Sequence, residues 1–171
     1  MSSFTYLGID NGVSGSIGII TSSNEVFYFH TPTKKCLNYT KEKKWITRVG
    51  YNDLAAMLQI YAVSSFALVE RPLVNPMMFT ATASALRAFE TTIIVLENLS
   101  IGYEVVDSKE WQKALLPQGM HKEDLKIASL DVAKRLFPKV DFTGFKDGDG
   151  LLLAEYCRRK QGHLISGETY A

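Results

Sequence analysis

Residues 4–30 read FTYLGIDNGVSGSIGIITSSNEVFYFH, and this stretch decides the fold. Phe4 to Ile9 is an apolar run with little alternation, the pattern of a strand buried on both faces. Asn11-Gly12 signals a turn, and Gly15 keeps it small. Ser16 to Thr21 is a second strand. Ser22-Ser23-Asn24 turns the chain again, and Glu25 to His30 is a third strand. Short turns between three such runs make an antiparallel meander. Asp10 stands where the first run ends.

Outward from the meander, a basic loop leads to a helix that Asn52 can cap from Asp53 onward. Leu54, Met57, Leu58 and Tyr61 recur on it at helical spacing. Ser65 to Glu70 is a fourth strand, after which Pro72 and Pro76 break the chain. An Ala-rich helix spans Thr80 to about Asn98, and Gly102 to Asp107 is a fifth strand. Asp107 or Ser108 caps a short helix that runs through Leu115 and stops at Pro117. Lys122 to Phe137 is a helix ended by Pro138. The last helix starts near Asp147 or Asp149 and runs to about Lys160. The order β-β-β-α-β-α-β-α-α-α predicts an α/β domain. Its mixed five-stranded sheet combines the three-strand meander with two parallel strands, flanked by helices. The domain spans residues 1–161, and 162–171 is expected to be a flexible tail.

The 171 residues suit one domain, and their 46% hydrophobic content argues against global disorder. No run approaches the roughly 18 apolar residues of a membrane span. Met1-Ser2-Ser3-Phe4 lacks the basic flank of a signal peptide. Two cysteines, Cys36 and Cys157, make no disulfide framework, so a cytoplasmic setting is expected. The net charge of +1 hides an asymmetry. Residues 31–50 carry Lys34, Lys35, Lys41, Lys43, Lys44 and Arg48 against Glu42 alone, a local +5, which leaves the rest of the chain at −4. Tyr39 and Trp45 lie in the same stretch and could stack on bases. Arg158-Arg159-Lys160 form a second basic cluster. Charge alone fits either a solvated loop or the wall of a groove for a polyanion.

Carboxylates stand at element ends. Asp10 follows the first strand, Glu70 closes the fourth, and Asp147 and Asp149 open the last helix. A carboxylate ending a buried run is costly unless solvated, paired or metal-bound. If the first and fourth strands are parallel neighbours, Asp10 and Glu70 emerge on one carboxyl edge, where ligands of α/β sheets gather. Such a set suits Mg²⁺ or Mn²⁺. The alternative is that each residue merely leaves its strand into a turn. Zinc is not expected, because His30, His121 and His163 are scattered. No nucleophile elbow, Walker loop or dinucleotide fingerprint is present.

Five segments carry a resemblance. Gly8-Ile9-Asp10-Asn11-Gly12 resembles the opening motif of RuvC-like Holliday-junction resolvases, of the RNase H-like superfamily. Val69-Glu70-Arg71-Pro72 is similar to their second acidic motif. Ser108 to Lys113, with Trp111, resembles their small-helix segment. Lys122 with Ala133 to Pro138 is similar to their penultimate helix, and Asp149 to Ala154 to their final motif. The style resembles the bacteriophage branch. The resemblance implies an RNase H-like homodimer that cuts four-way and other branched DNA by paired nicks, with 5′-phosphate and 3′-hydroxyl products. Asp10, Glu70 and Asp149 match three of four metal-binding acids. The family usually has the fourth three residues before the last, where this chain has Lys146. Asp147 is the candidate replacement if it precedes the first helical turn, which Gly148 permits; otherwise it is a cap and the site has three acids.

The implied chemistry is hydrolysis of a phosphodiester with two divalent ions per site, roughly 4 Å apart. Lys113 and Lys122 match family positions for phosphate contact, or are ordinary exposed lysines. Lys146 can contact a phosphate or weaken metal affinity. Leu73 or Phe79 can wedge into a junction or plug the core. Ala81, Ala85, Phe89, Ile93 and Leu96 line one side of the long helix, and Ala83, Leu86, Ile94 and Val95 broaden that surface, as in a helix that pairs with a copy. Two alternatives stand beside cleavage: a junction-binding protein impaired by Lys146, and a kinase or actin-like ATPase with Ser14-Gly15-Ser16 on phosphate. The latter needs two similar domains.

Overall fold

Side-chain alternation along the first strand divides the molecule. The structure, a computed structural model, describes residues 4–121 and 124–166, with side chains of the last helix described through Gly162. β1 (Thr5–Ile9), β2 (Ser16–Thr21) and β3 (Val26–His30) form the expected meander. β6 (Ser65–Glu70) and β7 (Gly102–Val106) extend it in parallel, giving the order β3-β2-β1-β6-β7. Leu7, Ile9, Ile17 and Ile19 point to one face, against Leu54 and Leu58 of α1 (Tyr51–Gln59) and Val95 and Leu96 of α2 (Phe79–Asn98). Tyr6 and Leu68 point to the other, against Trp111 of α3 (Ser108–Leu115), Val132 and Ala133 of α4 (Leu125–Leu136) and Leu152 and Leu153 of α5 (Asp149–Ser166). Both faces of the central strands are covered, which is why their sequences hardly alternate in polarity.

The basic segment is not a loop. Thr33–Leu37 (β4) and Trp45–Val49 (β5) pair antiparallel as a separate two-stranded ribbon. Val49 is buried beside α1 and α2 in the core, and the Arg87 guanidinium of α2 reaches the Tyr39 hydroxyl at 3.4 Å. Its strands carry charge where core strands carry Val or Ile, so hydrophobic periodicity does not reveal them.

α1 begins at Tyr51, not Asp53. The Gly50 carbonyl accepts the Leu54 N–H at 2.9 Å and no side chain caps the helix, so Asn52 does not serve as its cap. Asp107 does cap α3, its Oδ1 accepting from the Lys109 N–H at 2.9 Å. A short 3₁₀ turn, Pro76–Met78, precedes α2. The stretch Pro76–Asn98 has the length and apolar composition of a membrane span, contrary to the sequence expectation; one face of it, with Thr82, Ala88, Thr92, Val95 and Leu96, is buried against the domain, and the rest is half-buried or exposed. The last helix continues to Ser166, into the stretch expected to be a tail from Gly162.

Candidate metal centre

β1 and β6 are parallel neighbours, with Ile9 opposite Val69. Asp10 and Glu70 therefore leave the sheet side by side at its carboxyl edge. α5 lies across the Tyr6 face of β1 and β2 and brings Asp149 to the same edge. The residues before α5 are anchored by stacking: the Phe145 ring sits 4.1 Å from Tyr28 and 4.0 Å from His30, centroid to centroid. The Tyr28 hydroxyl is within hydrogen-bonding distance of the Asp147 carbonyl (3.0 Å) and the Ser16 hydroxyl (2.9 Å). Ser16 Oγ accepts the Gly150 N–H at 3.2 Å, and Ser129 Oγ accepts the Gly148 N–H at 2.9 Å. The start of α5 is thus tied to β2, β3 and α4.

This anchoring brings three carboxylates together. Ligand oxygens of Asp10, Asp147 and Asp149 lie within 4.8 Å of one another. Asp147 precedes the first residue of α5, so the i, i+2 separation on a regular helix does not apply to it. Its backbone and side chain also serve the helix start, since Oδ1 faces the Asp149 N–H at 3.4 Å. Glu70 stands beside this trio with Oε2 accepting the Trp111 indole N–H at 2.8 Å. Burial raises the Asp10 carboxyl well above its ordinary range, and the charges of Glu70, Asp149 and Asp147 raise it further. Burial followed by the Asp147 charge pushes Asp149 up to about 7. Glu70 is raised by burial, and the Trp111 hydrogen bond partly offsets this. Each shift reports the same cost: negative charges share a poorly solvated edge.

Among the described residues, one cation meets them. Lys126, near the start of α4, places Nζ 3.1 Å from Asp147 Oδ2. It is the lysine whose field acts on Asp10, Glu70 and Asp149. Sequence reasoning missed Lys126, and it missed the indole that orients Glu70. Lys126, the second residue of α4, has no linear signal, and the bond from Trp111 to Glu70 has none either, because each depends on where its helix crosses the sheet.

The remaining candidate residues fall elsewhere. Lys113 and Lys146 are exposed, and Lys122 lies outside the described residues. Leu73 and Phe79 are 74% and 78% exposed, so neither plugs the core. Lys34, Lys35, Lys41, Lys43 and Lys44 are exposed on the ribbon and its tip, while Arg48 is half-buried. The second basic cluster is engaged within the fold: Arg158 and Arg159 both pair with the buried Glu155, at 2.7 and 2.8 Å, and Lys160 pairs with Glu104 and Glu110. Ser16 is buried and occupied, so it is no phosphate contact of an ATPase hairpin.

An antiparallel meander extended by two parallel strands, with helices on both faces, is the RNase H-like fold seen in RuvC. Two solved structures of Thermus thermophilus RuvC share it. One, in complex with a Holliday junction substrate, is 9% identical with a TM-score of 0.52, covering 93% of this chain and 96% of that one. The other is 10% identical with a TM-score of 0.50, covering 93% and 97%. At this identity the likeness concerns the fold. No protein-family model matches the sequence, and neither does any curated protein.

Proposed function

We propose that the chain is a divalent-metal-dependent endonuclease of branched DNA, with the four-way junction as its principal substrate. The observation that carries this reading is the gathering of Asp10, Asp147 and Asp149, with Glu70 beside them, at the carboxyl edge of a sheet whose fold is shared with a protein solved in complex with a Holliday junction substrate. The donors are all carboxylate oxygens, which fit Mg²⁺ or Mn²⁺ and not a soft metal. The raised carboxyls are the electrostatic counterpart of that fit, since a bound cation stabilises their charged forms. Bound there, such ions supply a water nucleophile and charge neutralisation for phosphodiester hydrolysis, leaving 5′-phosphate and 3′-hydroxyl ends. Asp10, Glu70, Asp147 and Asp149 would hold them, and Trp111 would keep Glu70 oriented. The ribbon bearing Lys34, Lys35, Lys41, Lys43, Lys44 and Arg48 would follow the DNA backbone. Lys113, Lys122 and Lys146 are further phosphate contacts in this reading, with Leu73 and Phe79 entering the branch point.

A homodimer suits paired nicks. Of the α2 residues expected to pair with a copy, Val95 and Leu96 are buried in the core with Phe89 and Ile93 packed against it; Leu86 and Ile94 stay exposed, as do Val105 on the edge strand β7 and Leu73, Val74 and Phe79, and these would supply the apolar face of a dimer. A bacteriophage-type enzyme is our reading from motif style, and a cytoplasmic one from the free Cys36 and Cys157.

A second reading is a junction-binding protein that cleaves poorly. It is favoured by the Lys126–Asp147 pair and by Lys146 at the fourth acid's usual place. Incubation with labelled four-way, three-way, flap and duplex DNA in Mg²⁺ or Mn²⁺ separates the two. Paired nicks in the four-way junction, lost in Asp10→Asn with binding retained, are expected. Tight junction binding without cleavage in either metal would leave the second reading.

A further inference from the structure

We propose that Lys126 is a tethered counter-cation of the acidic centre, which holds Asp147 in the metal-free protein and competes with the divalent ion for that carboxylate. The inference rests on the metal-binding reading given above and adds a regulator of metal loading.

The pair is asymmetric. The Asp147 side chain is 11% exposed, whereas that of Lys126 is 68% exposed. Asp147 is fixed from behind, because its carbonyl is held by Tyr28 and its neighbour Gly148 donates to Ser129. Gly148 packs closely on α4, since a Cβ there would lie 2.4 Å from the Ala133 side chain and 2.7 Å from the Ser129 carbonyl. Lys126 reaches the same carboxylate on a flexible four-carbon stem from the surface of α4. When a metal ion arrives, the lysine is therefore the partner that withdraws.

The geometry also explains how this chain carries Lys126 without losing its acids. Burial works against the lysine's charge, but the Asp147 hydrogen bond and the fields of Asp147, Asp149 and Asp10 outweigh it. One ammonium among these carboxylates lowers the repulsion that raises Asp10 and Asp149. It supplies part of what a metal supplies, so the metal-free centre is stabilised while metal binding is weakened by the same contact. A freed Lys126 ammonium, still near the edge, is then available to a phosphate oxygen.

The test is Mn²⁺ binding by calorimetry to the full chain, without DNA. Lys126→Gln should bind Mn²⁺ roughly fivefold more tightly than wild type, the scale of a partly exposed ion pair. Lys126→Arg should stay near wild type, because it keeps the charge. In an Asp147→Asn background the Lys126→Gln gain should vanish, since the contested carboxylate is gone. A residue that merely supports the fold would lower affinity or leave it unchanged. Equal or weaker binding by Lys126→Gln, a gain that persists in Asp147→Asn, or no Mn²⁺ binding by any of these proteins would overturn the proposal. Wild-type protein that cuts no branched DNA while Lys126→Gln still gains Mn²⁺ affinity would sink the nuclease reading and uphold this one.

Discussion

Gly8 and Gly18 are register partners across β1 and β2, and both lie directly beneath the backbone of α5. A Cβ on Gly8 would stand 2.0 Å from the Ala154 nitrogen, and one on Gly18 would stand 2.4 Å from the Gly150 carbonyl oxygen. These contacts are to backbone, so no side chain can turn aside. The two glycines let the helix settle onto the sheet, and the depth of that seat sets how far Asp149 reaches toward Asp10. Gly8→Ala or Gly18→Ala is expected to cost about 1–3 kcal/mol or more. Denaturant unfolding would show it as a lowered midpoint. A variant with wild-type stability would mean that α5 does not rest on these residues.

The carboxyls at the sheet edge make metal-free stability depend on pH. A carboxyl whose folded pKa lies above its unfolded one binds extra protons in the native state. Its contribution is present below the unfolded value and is lost as pH rises through the folded one. For Asp149 that window runs from 3.8 to about 7. In a chelator, the protein should therefore lose on the order of 2–4 kcal/mol between pH 4 and pH 8 from this group, at about 1.4 kcal/mol per pKa unit. Asp10→Asn should flatten the profile, and Mn²⁺ at pH 8 should restore the loss. Thermal melts at several pH values check all three; melting temperatures indifferent to both pH and Mn²⁺ would show that the acids do not repel.

Much of this arrangement was legible in the sequence, for a physical reason. Apolar runs bounded by turn residues specify β1, β2 and β6, and an acid at the end of such a run has few ways to be satisfied. The helical crossover through α2 makes β6 and β7 parallel; the pairing that joins Asp10 to Glu70 spans the meander, the ribbon and α1, and the sequence leaves it conditional. The ribbon at residues 33–49 escaped notice because Lys34 pairs with Arg48 and Lys35 with Thr47, with no apolar period to mark them. The Asn52 cap failed because the Gly50 carbonyl takes that place. Lys126, and the bond from Trp111 to Glu70, could not be found along the chain, since the partners Asp147 and Glu70 are 21 and 41 residues distant.

Trp111 should act on Glu70 as well as on the core. Its indole is fully buried and donates to Oε2 at 2.8 Å. Trp111→Phe keeps most of the volume and removes the donor. A hydrogen bond to a charged group is worth about 1.5–3 kcal/mol, so stability should fall by about that much. The Trp111 bond holds the Glu70 carboxyl lower than burial alone would leave it, so its loss pushes that group further up. Cleavage by Trp111→Phe should then suffer more toward the acid end of the pH–rate profile than toward its alkaline end. A pH–rate profile parallel to wild type would reduce Trp111 to a packing residue.

The ribbon offers the last test, and the two tryptophans make it clean. Trp111 is fully buried, whereas Trp45 is 69% exposed, paired across the strands with the exposed Leu37 and flanked by Lys35. Fluorescence quenching by added DNA therefore reports Trp45 alone. An aromatic face beside lysines suits unstacked bases at a branch point, and such stacking is worth about 1–3 kcal/mol per base. In the cleavage-dead Asp10→Asn background, a four-way junction should quench the emission. Trp45→Ala should abolish that quenching and weaken binding roughly five- to hundredfold. Lys34→Ala and Lys35→Ala should act differently, each reducing the slope of log affinity against log salt by about 0.9 for a lost phosphate contact. Unquenched emission with unchanged salt slopes would move the DNA path off this ribbon.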